Sequence, residues 1–114
     1  MAAHDHLGSQ FLYHEAHLND RESIRSGGLR PATPYAASDL PSGVYMSPHG
    51  VSEYSSSMND SSHFGYDRWR VNVTGLDLKV DASQPTHTRF SSEHIGSDRI
   101  KLVKKGHPNW EKNI

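Results

Sequence analysis

From Trp69 onward the chain alternates. Arg70 and Asn72 separate Trp69, Val71 and Val73; Thr74 and Gly75 supply a turn; and residues 76–80 alternate again from Leu76 to Val80. A period of two sends successive side chains to opposite faces of a strand, so one face can be buried while the other meets water. Residues 88–92 and 99–103 add further strand-like pieces, bounded by turn-forming Ser, Gly and Asp. Of 114 residues only 33% are apolar, which is enough for one lean core. This β-rich half is therefore expected to share a single domain with everything that precedes it.

The first half reads differently. Residues 10–14 are short, aromatic-rich and end on His14, as a first strand would. Asn19 or Asp20 offers an N-cap, residues 21–25 a short helix with Ile24 inward, and Gly27-Gly28 a stop. Three prolines mark residues 29–42 as an irregular loop, after which residues 43–47 form a second strand ended by Pro48. Residues 50–58 carry Val51, Tyr54 and Met58 at helical spacing, weakened by the serines between them, and residues 59–66 read as a loop. Strands dominate and no internal repeat occurs. The expected fold is α+β: a small split β-sheet with one or two short helices over residues 10–105, flanked by tails at 1–9 and 106–114, the latter carrying Trp110.

Twelve Lys and Arg against thirteen Asp and Glu leave a formal charge of −1, which offers no broad attraction for a phosphate backbone. The local basic groups, Arg68 with Arg70 and Lys101 with Lys104 and Lys105, could meet a phosphate but read first as solvated strand edges. Without cysteine there is no disulfide framework and no thiolate zinc site. Residues 1–10 lack the basic start and apolar stretch of a signal peptide, and no run of eighteen apolar residues occurs. A soluble, cytoplasmic protein is the default expectation.

Nine histidines raise the question of a metal. His14-Glu15-Ala16-His17 comes close to the metalloprotease signature, but zinc needs its two histidines at i and i+4 on one helical face, and here the spacing is three, at the end of a strand. His4 and His6 could hold a metal adventitiously but read first as part of a solvated terminus. No metal is expected. His14, Tyr45, Tyr54 and Glu93, each taken alone, are ordinary core or surface residues; their order along the chain is what singles them out.

Leu12-Tyr13-His14, the run from Ser23 to Pro31, and Gly43-Val44-Tyr45-Met46-Ser47 together resemble the His-Tyr-Glu branch of the ADP-ribosyltransferase superfamily. That branch holds diphtheria-toxin-like and poly(ADP-ribose)-polymerase-like enzymes and, more distantly, RNA 2′-phosphotransferases. The segment from Val71 to Leu78 resembles the central strand and turn of small bacterial and phage members. The segment from Glu93 to Val103 resembles the closing part, where a glutamate precedes an Ile and then an Arg-Ile strand. The likeness spans residues 11–103.

The resemblance implies an NAD-dependent transferase that breaks the nicotinamide–ribose bond and needs no metal. His14 would hydrogen-bond a ribose hydroxyl, Tyr45 would stack on the nicotinamide with Tyr54 as its second wall, and Glu93 would steady the oxocarbenium-like sugar. Glu15 beside His14, through its backbone, and Ser47 at the end of the tyrosine strand complete the cofactor-binding set. Two departures stand out: Glu15 and Ala16 replace the glycine and small hydroxyl residue that follow the histidine in many relatives, and Ser91 stands where arginine-modifying relatives have Gln or Glu. The expected function is mono-ADP-ribosyl transfer to a macromolecular acceptor, protein or nucleic acid, with no membrane partner. The alternatives are an NAD glycohydrolase, RNA 2′-phosphotransferase chemistry (for which the chain lacks a second domain), a non-catalytic module binding NAD, ADP-ribose or a protein, and a small β-rich structural protein.

Overall fold

The computed structural model describes residues 7–32, 41–48, 65–82, 86 and 88–106. The expectations for Tyr54, for a helix over residues 50–58, for a loop over residues 59–64 and for Trp110 lie outside these residues. The elements, in chain order, are β1 (Phe11–His17), a 3-10 turn (Leu18–Asp20), α1 (Arg21–Gly27), β2 (Val44–Met46), β3 (Tyr66–Asn72), β4 (Lys79–Val80), β5 (Arg89–Ser91), a second 3-10 turn (Ser97–Arg99) and β6 (Ile100–Lys104). The protein is a small α+β domain: among the described residues the strands form two antiparallel three-stranded sheets, β1-β3-β6 and β2-β5-β4, beside one short helix.

Strand β1 does not end at His14 as its sequence reads; it continues to His17. The reason lies in β3, which pairs with it across all seven residues, from Phe11 opposite Asn72 to His17 opposite Tyr66. A strand ends where its partner ends, and Tyr66, read from the sequence as the end of a loop, becomes the first residue of β3. Alternation in β3 behaves as expected, with Asp67, Trp69 and Val71 buried and their neighbours facing outward. Residues 76–80, by contrast, pair only at Lys79 and Val80. Leu76 N–H bonds Val73 C=O at 2.9 Å across the Thr74-Gly75 turn, and the chain then leaves β3 for the second sheet instead of folding back as a hairpin. Arg99 holds that exit by donating to the carbonyls of Asn72 (3.0 Å) and Thr74 (2.8 Å).

The core lies between the two sheets and α1. Leu12, Trp69, Val71 and Val73 come from the first sheet and its extension, Val44 and Met46 from β2, and Ile24, Leu29, Leu78 and Ile95 from the helix and connections. Each such large apolar side chain contributes about 1.5–3 kcal/mol when fully buried. Asp67 occupies a position the alternation reserves for an apolar residue. It is fully buried and satisfied from three directions: Arg21 Nε and Nη2 each donate at 2.8 Å, and the Gly106 N–H donates at 2.7 Å. One carboxylate thus ties α1, β3 and the segment after β6 together.

Helix α1 starts at the expected place without the expected cap. Asp20 makes no side-chain capping bond; instead His17 Nδ1 accepts the Asn19 N–H at 3.0 Å at the head of the 3-10 turn. Gly28 ends the helix as expected, at φ +83°, with its N–H on Ile24 C=O at 2.8 Å. Next to it Leu29 and Ile95 exchange both backbone hydrogen bonds. A β-carbon on Gly28 would overlap the Ile95 carbonyl as well as adopt an unfavourable φ. Gly28→Ala is therefore expected to cost about 2 kcal/mol in urea unfolding, whereas Gly75→Ala, at the same φ with open space around it, should cost only about 1 kcal/mol.

Candidate functional site

The two sheets meet where β1 runs past the end of β2. Tyr13 and Ser47 exchange backbone hydrogen bonds there, Tyr13 N–H to Ser47 C=O at 2.8 Å and Ser47 N–H to Tyr13 C=O at 3.0 Å. This bridge brings three of the sequence-derived residues together: His14 beside the bridge on β1, Ser47 in it, and Tyr45 two residues back on β2.

His14 is the most constrained of them. Its Nδ1 lies 2.7 Å from the Tyr45 carbonyl oxygen. A carbonyl only accepts, so Nδ1 carries the proton. Burial pushes the His14 pKa below its ordinary value, and the bond to Tyr45 only partly offsets this, so the ring is neutral near pH 7. The neutral Nδ1–H tautomer leaves Nε2 as an acceptor, and this atom has no hydrogen-bond partner among the described residues. The structure therefore presents one oriented acceptor on an imidazole that is held still.

Tyr45 is fixed at both ends. Its ring stacks on Phe90, the residue opposite it on β5, with centroids 4.7 Å apart and planes 20° from parallel, and its hydroxyl donates to Pro41 C=O at 2.6 Å. Burial, helped by Asp81, raises the phenol pKa, so the ring remains an uncharged, half-exposed aromatic surface. Nothing in the sequence marked Phe90 as its support; only the β2–β5 register supplies that.

The remaining residues are placed differently. Glu15 lies on the opposite face of β1 from His14, as adjacent strand residues must, and accepts from Arg68 Nε at 2.8 Å. Burial raises its carboxyl pKa while Arg68 and Lys104 pull it down. Glu93 follows β5 by two residues. Since Ser91 pairs with Val44 at the start of β2, Glu93 lies off the far end of that strand from the Tyr13–Ser47 bridge. Its backbone N–H is held by Ser91 Oγ at 3.1 Å. Its side chain is exposed and makes no hydrogen bond to His14 or Tyr45. His14 and His17, three apart on one strand, face opposite sides of the sheet, and among the described residues no three His, Asp or Glu side chains converge as a metal site would require. Nor is any helix among these residues long and apolar enough to cross a membrane.

Two features went unmarked in the sequence. The buried Asp67–Arg21 pair was one, since a single Asp within an alternating strand carries no signal of its partner 46 residues away. The other is that Arg68 with Arg70 and Lys101 with Lys104, which the sequence marks as two separate basic groups, gather on one sheet face. Comparison of the chain with protein-family models and with curated proteins gives no match.

Proposed function

We propose that this domain binds NAD at the junction of β1 and β2 and transfers its ADP-ribose to a macromolecular acceptor. The observation that carries the reading is the state of His14. A neutral imidazole with Nδ1–H spent on the Tyr45 carbonyl and Nε2 left as acceptor suits a ribose hydroxyl, which can donate to it, and suits neither an ionised phosphate nor a carboxylate, which cannot. The half-exposed ring of Tyr45, backed by Phe90, supplies a flat surface of the kind a nicotinamide ring would stack on. In the reaction the ribose–nitrogen bond breaks and nicotinamide leaves with the electron pair. The acceptor's nucleophile then bonds to the anomeric carbon and loses a proton; for Glu93 to stabilise the cationic sugar between the two events, NAD must span β2, with the ribose hydroxyl held by His14 at one end and the breaking bond at the other.

The test is nicotinamide release from NAD, with and without a cell lysate as acceptor source, for the wild-type protein and His14→Ala. Removing one hydrogen bond to a neutral group costs about 1–1.5 kcal/mol, so KM for NAD should rise roughly tenfold, with a smaller change in kcat. The pH dependence has a definite sign. Protonation of His14 converts the Nε2 acceptor into a donor, and the pKa is depressed from the ordinary value near 6.5. NAD binding should hold from pH 8 through about pH 6.5 and weaken only on the more acid side. Absence of release with every acceptor would remove the transferase reading.

A second reading draws on the position of Glu93. Because that side chain stands off the end of β2 remote from His14, the domain would bind NAD or ADP-ribose without cleaving it. Saturable, His14-dependent NAD binding by calorimetry, without nicotinamide release, is the outcome that selects it.

A further inference from the structure

We infer that the outer face of the β1-β3-β6 sheet binds single-stranded nucleic acid. Two cross-strand rows build this face. Tyr13 lies opposite Arg70, which lies opposite Lys101; Glu15 lies opposite Arg68, which lies opposite Lys104. Lys104 joins the second row through an irregularity. The β3–β6 register shifts between Arg68 and Trp69, so that Val103 becomes an extra residue and Lys104 turns to the side it would otherwise face away from. Four cations from two separate stretches of sequence thus share a surface with, among the described residues, the one carboxylate of Glu15, although the whole chain has a formal charge of −1. The positive field is local to this face.

Aromatic rings stand among these cations. Phe11 and Tyr13 come from β1 and Tyr66 from β3. The Arg70 guanidinium sits 4.5 Å from the Phe11 ring centroid, a cation–π contact that orders both groups; Tyr66 meets His17 edge to face at 5.5 Å and is 46% exposed. Between the rows is an open concavity of about 440 Å³ lined by Tyr13, Pro48, Arg68, Arg70, Val103 and Lys104. Cations alone would suit any polyanion. Rings interleaved with arginines on an open, solvent-facing sheet suit unpaired bases, which can stack while their phosphates meet the guanidinium and ammonium groups; a duplex keeps its bases stacked on one another, and an acidic peptide has no flat group to offer. Since β1 sends Tyr13 and His14 to opposite faces, this surface is separate from the proposed NAD site and does not depend on that reading.

The experiment is fluorescence anisotropy of a labelled single strand of about 12 nucleotides at about 50 mM salt, without NAD. Competitors are a duplex of the same length, heparin as a polyanion without bases, and a polyglutamate peptide. The variants are Tyr13→Ala, Arg70→Gln with Lys101→Gln, and His14→Ala, each checked for folding by circular dichroism. Binding in the micromolar range is expected, with log K falling against log salt by about 0.7 for each phosphate met. The double variant should lower that slope by about 1.4, Tyr13→Ala should weaken binding roughly tenfold through lost stacking, and His14→Ala should leave it unchanged. Binding weaker than about 100 µM, equal competition by heparin or duplex, preference for the acidic peptide, or indifference to Tyr13→Ala would each overturn the proposal. Because no arm contains NAD, failure here is separable from failure of the transferase reading.

Discussion

Asp67→Ala is expected to lower the free energy of unfolding by about 3–5 kcal/mol, the largest stability loss of any single substitution considered. The carboxylate is 0% exposed and its Arg21 partner 23% exposed. Truncation leaves the Gly106 N–H without its acceptor and strands a partly buried guanidinium. The exposed fraction of Arg21 favours the lower half of the range, because water can reach it. In a domain of this size that corresponds to a fall in Tm of about 10 °C or more, readable by calorimetry or urea titration. Asp67→Asn should lose less, since an amide oxygen still accepts from Gly106. Acid should mimic the substitution. Burial raises the Asp67 pKa, but the bonds from Arg21 and Gly106 outweigh it, and the net shift is downward. A carboxyl whose pKa is depressed on folding contributes stability that is fully present above its unfolded value near 4 and is lost as pH falls through the folded value. Wild-type stability should therefore decline below about pH 4, and Asp67→Asn should decline less over the same window.

Glu93→Gln is expected to reduce kcat for nicotinamide release by up to roughly a thousandfold while changing KM little, because a charge that counters a developing cation acts mainly in the transition state. The size depends on what covers the carboxylate. At about 4 Å from the cation, a unit charge is worth about 4 kcal/mol at an effective dielectric near 20, but only about 1 kcal/mol in bulk water. The first value is close to a thousandfold in rate and the second about fivefold. The Glu93 side chain is exposed in the structure, so a loss near the upper figure requires that bound NAD and the neighbouring chain exclude water from it, and a loss near the lower one means that they do not. Single-turnover kinetics alongside NAD affinity separate the two, and an unchanged kcat would take Glu93 out of the reaction.

Local signals placed much of the scaffold. The period of two in Trp69, Val71 and Val73, the Gly27-Gly28 stop and the Pro48 strand end are each properties of a few adjacent residues, and they lie in the structure where the chain chemistry puts them. Element lengths were less legible. Strand β1 gains three residues and β3 begins three earlier than its apolar pattern because each lengthens the other, and residues 76–78 stay out of the sheet because the chain departs toward β5. At the candidate site, the sequence singled out His14 and Tyr45 but not the relation between them: the imidazole bonds the backbone of Tyr45, which no side-chain pattern encodes.

What the sequence determined by itself is the α+β character of the domain, the faces of its strands and the placing of its one described helix, since propensity, alternation and capping act over a few residues. Tertiary structure alone decided that Asp67 could be buried, because only folding brings Arg21 and Gly106 to it; that His14 is neutral with a fixed tautomer, because its acceptor is 31 residues away; and that scattered lysines and arginines form one cationic face, because a single shift in the β3–β6 register turns Lys104 to join the others. In each case the deciding quantity is a long-range distance, and burial, hydrogen bonding and electrostatic fields all depend on distance in space, not along the chain.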